Sequence, residues 1–359
     1  MSTSGPVMLL AGGTGGHIFP ALAVADVLRQ RGIAVRWMGA HGAMETRLVP
    51  QHGIEMDVLP IAALRGKGWR ALLAAPWRIL RAVYVAYKLL RRHRPRAVIA
   101  FGGFASGPGG VAAWLLRLPL LIHEQNRAPG LTNRLLSPLA RRVLCGFPDS
   151  FTRVNSITTG NPVRADIAAL PPPQQRLAER NDCFRLLIIG GSQGAQALNE
   201  AVPAALAMLS QTTTIEIWHQ SGEKMYAATQ QYYVDAGLSA RVEAFVQDMA
   251  AAYAWADTVI CRAGASTLAE VCAVGIGSVL VPFALAVDDH QTRNADYLCT
   301  QGAACLLKQD ADLVTHLHRA LSELACNPDL RLHRALAARQ LAKPRAATHI
   351  ADMILEESQ

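Results

Sequence analysis

Three glycine-rich segments are places where main chain could do chemistry: Gly12-Gly13-Thr14-Gly15-Gly16-His17, Phe101 to Gly110, and Gly190-Gly191-Ser192-Gln193-Gly194-Ala195. Glycine exposes backbone N–H groups at little steric cost, and where such a turn leads into a helix those groups point at any anion that enters. Phosphate binding is the chemistry this composition suits. The first segment is not a dinucleotide fingerprint: with GxGxxG laid on Gly13 and Gly15, Ile18 stands where the third glycine belongs. Nor does an acidic residue for a ribose end the second strand, at Gly39-Ala40-His41. No Gly-Lys-Ser/Thr follows either helix-leading turn, which excludes the Walker pattern. Gly190-x-Ser192-x-Gly194 also fits the nucleophile elbow of α/β hydrolases, with Asp257 and His290 available as partners, but that use leaves the first half of the chain without a job.

Such turns need strands to end and helices to begin at them. Short apolar runs alternate with amphipathic stretches throughout, the pattern of parallel sheets covered by helices. The first series of strands is expected at Val7 to Leu10, Ala34 to Gly39, Met56 to Ile61, Ala97 to Phe101, Leu120 to His123 and Arg142 to Cys145. After Asn161-Pro162 and the Pro171-Pro172-Pro173 run, a second begins at Phe184 to Ile189. It continues at Thr214 to Trp218, Arg241 to Val246, Thr258 to Cys261, Ser278 to Val281 and Ala304 to Leu307. At 359 residues, length favours two domains, and the repeat makes them two doubly wound α/β domains facing a central cleft. Residues 1–164 are expected to form one, joined by a final helix in 346–359, and residues 165–345 the other. Seven cysteines without a CxxC pair read as reduced thiols, and the short apolar stretch Val7 to Ala11 reads as neither signal peptide nor membrane span.

Seven motifs together closely resemble the MurG family of bacterial N-acetylglucosaminyltransferases. They are Gly13 to His17, Phe101 to Gly110, His123-Glu124-Gln125-Asn126, Gly160-Asn161-Pro162-Val163-Arg164, Gly190 to Ala195, Arg262 to Glu270 and Asp289 to Ala295. They occur in the family's order from about residue 7 to 355. The resemblance implies the GT-B fold and inverting transfer of N-acetylglucosamine from UDP-N-acetylglucosamine (UDP-GlcNAc) to the C4 hydroxyl of N-acetylmuramic acid in undecaprenyl-linked lipid I. The product is lipid II for peptidoglycan, and no cofactor or metal ion is required. It implies donor contacts at Thr14, Gly15, Gly16, Asn126, Arg164, Ser192, Val246, Ala265, Ser266, Thr267, Glu270, His290 and Gln291. Among these, Glu270 would take the ribose hydroxyls, Arg164 the diphosphate and the Val246 backbone the uracil. Acceptor and diphosphate loops fall at Gly13, Gly102, Gly103, Ser106 and Gly107. The weakly nucleophilic acceptor hydroxyl gains from a base. His17, at a helix start that favours neutral imidazole, is the candidate, with Glu124 competing. Asp289 reads as a helix N-cap rather than a metal ligand. A UDP-GlcNAc 2-epimerase of the same fold is the alternative within this architecture.

The net charge of +8 is unevenly spread: residues 1–164 hold 21 Lys and Arg against 6 Asp and Glu, whereas residues 165–359 hold 14 against 21. Between Asp57 and Glu124 there is no acidic residue and there are eleven basic ones. At helical spacing, Trp69, Leu73, Trp77, Leu80, Tyr84 and Tyr87 share an arc flanked by Arg70, Arg78, Arg81, Lys88 and Arg92, with Pro76 breaking or kinking the helix. Part of that arc is expected to cover the sheet and the remainder to meet anionic headgroups at the cytoplasmic face of the inner membrane. Nucleic acid is not expected, since no recognition fold accompanies the charge. Other cell-wall synthesis proteins are further expected partners.

Overall fold

The computed structural model describes residues 5–61, 75–178, 180, 183–191, 194–209, 214–284 and 289–358. The chain divides into two compact units, Met1–Val163 with Pro344–Gln359, and Arg164–Lys343.

The first unit is a seven-stranded sheet of β1 (Val7–Ala11), β2 (Val35–Ala40), β3 (Glu55–Leu59), β4 (Ala97–Gly102), β5 (Leu120–Glu124), β6 (Arg142–Cys145) and β7 (Ile157–Thr158). Its order is β3-β2-β1-β4-β5-β6-β7, and every pairing is parallel. A parallel sheet is covered on both faces, which is why its strands read as continuous apolar runs rather than alternations. Along β1, Val7, Leu9 and Ala11 pack into one core with Ile18, Leu28, Trp37 and Phe101. Met8 and Leu10 point the other way, into a second core with Met38, Ala82, Ala86, Leu90 and Ile122. The helix Ala346–Glu357 adds Ile350 and Ile354, one turn apart, to the first of these cores beside the helix Gly15–Gln30. Burying each such side chain contributes about 1.5–3 kcal/mol. The surface ion pairs Arg31–Asp352 and Arg142–Glu357, both 2.6 Å, add little beside that.

The second unit repeats the plan with β8 (Phe184–Ile189), β9 (Ile215–Gln220), β10 (Arg241–Glu243), β11 (Thr258–Cys261), β12 (Gly277–Leu280) and β13 (Ala304–Leu306). The order is β10-β9-β8-β11-β12-β13, again all parallel. Leu186 and Ile188 of β8 pack with Leu198, Val202 and Leu206 of the following helix and with Leu317, Leu321 and Leu324.

Three local expectations change. The two-residue β7 is too short to show a pattern in sequence, and β10 stops at Glu243, so Val246 lies in the loop beyond it. Pro76 falls in the first turn of the helix Ala75–His93, where a missing N–H costs nothing. That helix lays Ala82, Ala86 and Leu90 on the sheet, while Trp77 (75% exposed), Leu80 (62%) and Tyr84 (58%) face outward. Ala82, Ala86 and Leu90 therefore cover the strands, and of the described arc Tyr87 packs partly buried against the same core. Arg78, Arg81 and Lys88 are exposed, and the Lys88 ammonium lies 4.5 Å over the Tyr84 ring. Trp69, Leu73 and Arg70 lie outside the described residues. Among the described residues no helix is long and apolar enough to cross a membrane.

Candidate functional site

Sheet order determines which turns meet. In the first unit β1 and β4 are neighbours whose chains run off in opposite directions, so the turns after them open a crevice at the carboxyl ends of the strands. The β1 turn carries Gly12 to Gly16 and starts the helix Gly15–Gln30; the β4 turn carries Gly102 and Gly103 and leads to the helix Ser106–Leu115. These turns approach as closely as glycine allows. A Cβ on Gly103 would sit 2.2 Å from the Gly12 carbonyl oxygen, and one on Gly102 would sit 2.9 Å from Nε2 of His17. Gly102 and Gly103 adopt φ of 106° and 92°, the region that favours glycine.

His17, partly exposed, thus lies across both turns. Its Nδ1 is 3.0 Å from the Gly12 carbonyl and 3.4 Å from Thr14 Oγ1. A carbonyl oxygen only accepts, so Nδ1 carries the proton and Nε2, over Gly102, holds the lone pair. Gly13 is exposed at φ 86° with open space where a Cβ would lie, while Gly15 and Gly16 open the helix with their N–H groups. Ser106 has another job than the one expected. It is fully buried, and its hydroxyl is 2.9 Å from the Leu10 carbonyl and 2.8 Å from that of Gly102, locking β1 to β4 instead of meeting a ligand. Gly107 follows it in the first helical turn, partly exposed.

Glu124, at the end of β5, is buried, and each of its oxygens is engaged. Oε1 accepts from the Asn126 N–H (2.9 Å) and Asn126 Nδ2 (3.3 Å), and Oε2 from Gly130 N–H (3.1 Å) and Asn133 Nδ2 (2.9 Å). Four donors hold this carboxylate as a brace for the loop that displays Asn126. Behind it, His123 is fully buried, donating from Nε2 to the Gly160 carbonyl at 3.0 Å; burial pushes its pKa down to about 4.

In the second unit the corresponding neighbours are β8 and β11. The turn after β8 leads to the helix Gln196–Leu209, and that after β11, Arg262-Ala263-Gly264, to the helix Ala265–Val274. Both helix starts border one pocket of about 670 Å³, lined among others by Gly191, Gly194, Arg262, Gly264, Thr267 and Gln291. Ala265 is buried at the helix start, and the Ser266 hydroxyl is buried without a hydrogen-bond partner. Arg262 donates to the carbonyls of Val281 (2.9 Å) and Pro282 (3.2 Å), with its guanidinium against the Phe283 ring. Gln291 accepts the Phe283 N–H at 2.9 Å. His290 opens the helix His290–Thr300. Asp289 precedes it as expected, but its carboxylate takes the Thr292 hydroxyl (2.6 Å) rather than a backbone N–H. Ser192 lies outside the described residues.

Glu270, one turn along the helix from Ser266, is flanked on both oxygens: the Tyr253 hydroxyl donates to Oε2 at 3.1 Å and Arg164 Nη2 to Oε1 at 3.3 Å. Burial raises the Glu270 pKa, and Arg164 opposes the rise. Arg164 is thus placed with Glu270, with 43% of its side chain and 19% of that of Glu270 exposed. The Val246 N–H, at the position expected to face uracil, donates to Gln220 Oε1 at 3.0 Å, while Gln220 Nε2 donates to the Gly191 carbonyl at 3.0 Å. One amide thereby ties the glycine turn to the loop after β10. Asp257, which a hydrolase would need beside His290, is buried against Arg180 (3.1 Å) and the Arg185 N–H (2.9 Å).

Sequence reasoning missed Tyr253, Gln220 and Glu45, whose carboxylate accepts the N–H groups of Gly13 and Ala40, both at 2.9 Å. No motif marks them; the only signal for Gln220 is its place at a strand end. Among the described residues no group of three or more His, Cys, Asp and Glu is arranged to hold a metal ion.

Residues 7–145 match the glycosyltransferase family 28 N-terminal domain and residues 185–350 the family 28 C-terminal domain. A relative in Xanthomonas campestris pv. campestris (strain B100) is 63% identical over 98% of this chain and 82% of its own length. It is named UDP-N-acetylglucosamine--N-acetylmuramyl-(pentapeptide) pyrophosphoryl-undecaprenol N-acetylglucosamine transferase. A relative of the same name in Xylella fastidiosa (strain M12) is 59% identical, covering 98% of this chain and 96% of its own. The crystal structure of MurG from Acinetobacter baumannii superposes with a TM-score of 0.87 at 40% identity, covering 98% of this chain and 99% of that one.

Proposed function

The chain belongs to the MurG family of family 28 glycosyltransferases, with the two parallel-sheet units of the GT-B fold, and on that premise we propose how its residues move N-acetylglucosamine from UDP-GlcNAc to lipid I, forming lipid II. The observation that carries the reading is the pocket of the second unit, where two helix N-termini, the glycine turns of residues 190–194 and of Gly264, Thr267 and Arg262 border one space. Transfer breaks the bond from the anomeric carbon to a diphosphate, so negative charge grows on the leaving group, and N–H groups and dipoles aimed there stabilise it.

In this reading Arg164–Lys343 is the donor unit. Gly191, Gly194 and the 265–267 helix start receive the diphosphate, with Ser192 and the exposed Arg164 joining them, and His290 and Gln291 hold the sugar. Glu270 exchanges Arg164 for the ribose hydroxyls while Tyr253 keeps its orientation. A base contact at Val246 falls to its carbonyl, since Gln220 takes the N–H.

The first unit receives lipid I. His17 takes the proton of the C4 hydroxyl through Nε2, the atom its tautomer leaves unprotonated. Thr14, Gly15 and Gly16 present hydroxyl and amides beside it, the Gly13 N–H being taken by Glu45. Asn126, held by Glu124, orients a sugar, and Gly102, Gly103 and Gly107 keep the opposite wall low. Docking at the cytoplasmic face of the inner membrane is assigned to the outward face of the helix Ala75–His93, where Trp77 and Leu80 stand beside Arg78, Arg81 and Lys88. Each basic group near an anionic leaflet adds about 1 kcal/mol. Replacing Arg78, Arg81 and Lys88 with Glu is expected to abolish binding to anionic vesicles at low salt, and persistent binding would refute this surface.

The test of the whole reading is incubation with UDP-GlcNAc and a lipid I analogue. UDP release that depends on the acceptor is expected; epimerised sugar without acceptor, or ester hydrolysis, would replace it with one of the alternatives.

A further inference from the structure

Glu45 is fully buried at the start of the helix Glu45–Gln51, and it faces main chain. Its Oε2 accepts the Gly13 N–H and its Oε1 the Ala40 N–H, both at 2.9 Å. The Gly13 N–H belongs to the same rigid peptide unit as the Gly12 carbonyl, which accepts the His17 Nδ1–H at 3.0 Å on its other side. Carboxylate, peptide and imidazole therefore form one hydrogen-bonded line, and the Nε2 lone pair lies at its far end over Gly102.

The surroundings leave room for this line and little else. A Cβ on Gly12 would meet Glu45 Oε1 at 2.0 Å, one on Gly39 would meet Glu45 Cγ at 2.6 Å, and Gly103 and Gly102 admit the Gly12 carbonyl and the imidazole. Four glycines from three strand ends give way to two side chains and one peptide. A hydrogen bond to a peptide N–H polarises the unit and strengthens the acceptor at its carbonyl, more so when the partner is an anion in a dry interior.

We propose that Glu45 is a positioning residue for His17, acting through the Gly12–Gly13 peptide to keep the proton on Nδ1 and the lone pair on Nε2. This rests on the reading of His17 as the base. In the step it serves, the acceptor O–H bond breaks and its proton passes to Nε2. The freed oxygen pair forms the new bond to the anomeric carbon, and the old carbon–oxygen pair leaves with UDP. The imidazolium that results carries its Nδ1–H on the Gly12 carbonyl, whose peptide faces the Glu45 charge, and returns its proton to solvent after product leaves.

The test uses the full-length protein labelled with ¹⁵N-histidine, the His17 signal being identified by its loss in H17N. In the unsubstituted protein at neutral pH, His17 is expected as the Nδ1–H tautomer; an Nε2–H tautomer would overturn the proposal with no variant needed. E45Q keeps the shape but turns an NH₂ toward one of the two N–H groups. It is expected to mix the tautomers and to lower kcat by about 10- to 100-fold, as loss of an orienting partner does, with the KM for UDP-GlcNAc within about twofold. A purely structural Glu45 would leave the His17 tautomer unchanged in E45Q whatever happened to thermal stability, and that result would also overturn it. If H17N retains near-normal turnover, the base reading fails by itself, and the tautomer measurement still decides whether Glu45 sets the ring.

Discussion

The turn after β1 and the turn after β8 begin from the same plan: first strand of a parallel sheet, glycines, helix. They differ in what lies beside them. Around the first turn the protein fills its own space, with the Glu45 carboxylate against Gly12, the Gly12 carbonyl against Gly103 and the His17 ring against Gly102. The second turn opens onto a pocket of about 670 Å³, and a Cβ on Gly191 would meet nothing within 4 Å. Both turns also hold glycines that admit neighbouring protein, a Cβ on Gly194 falling 2.0 Å from the Ser221 carbonyl oxygen, so the difference lies in what stands beside them: a packed carboxylate, peptide and imidazole at the first turn, open space at Gly191 in the second.

The comparison breaks most decisively at His17. His17→Ala is expected to lower kcat by about 10² to 10⁴-fold while UDP binding, measured by calorimetry, stays unchanged; near-normal turnover would leave the first turn without chemistry. Next come the glycines themselves. Gly103→Ala drives a methyl to 2.2 Å from a backbone oxygen at φ 92° and should cost upwards of about 3 kcal/mol in urea unfolding, whereas Gly191→Ala, at φ 83° in open space, should cost about 1 kcal/mol. Equal losses would erase the distinction.

A pair of buried histidines gives the units a matched response to acid. His219 is buried between Tyr233 and Asn199, its pKa lowered by burial to about 3, as that of His123 is lowered to about 4. Both stay neutral in the folded chain while the unfolded chain takes up a proton near pH 6.5. Stability is therefore full above that pH and is lost as pH falls through the window down to about 4 for His123 and 3 for His219, by about 1.4 kcal/mol per pH unit for each. Urea unfolding at pH 7 and pH 5 reads the loss, and His219→Gln should remove the second unit's share. The smallest effect is expected from Glu270→Ala, a rise of about tenfold in the donor KM, the worth of one or two hydrogen bonds, with kcat little changed; an unaltered KM would take Glu270 out of the donor site.

Much of the architecture was legible because fully buried strands are contiguous apolar runs: β6, β8 and β11 begin and end where Arg142 to Cys145, Phe184 to Ile189 and Thr258 to Cys261 place them. Ile157–Thr158 was not, since two residues carry no period. At the sites, glycine turns were legible as turns but not as to what would lie against them. Glu45 and Gly13 are 32 positions apart, Gln220 and Val246 26, and only the folded sheet brings them together. Ser106 and Glu124 show the converse: residue types that suit ligands, spent on locking β1 to β4 and on bracing a loop. The aromatic arc of the helix Ala75–His93 covers the sheet through Tyr87 only among its described residues, because Ala82 and Ala86 allow the helix to lie close and leave Trp77, Leu80 and Tyr84 outside.

The return of the helix Ala346–Glu357 to the first unit has a consequence for biogenesis. Ile350 and Ile354 belong to the core laid down by Val7, Leu9 and Leu28, so the unit that is made first is completed by a helix made after the whole of the second unit. The unit Arg164–Lys343 is contiguous in the chain and can close as soon as it leaves the ribosome. During synthesis the nascent first sheet keeps an uncovered apolar strip until the helix Ala346–Glu357 has been made.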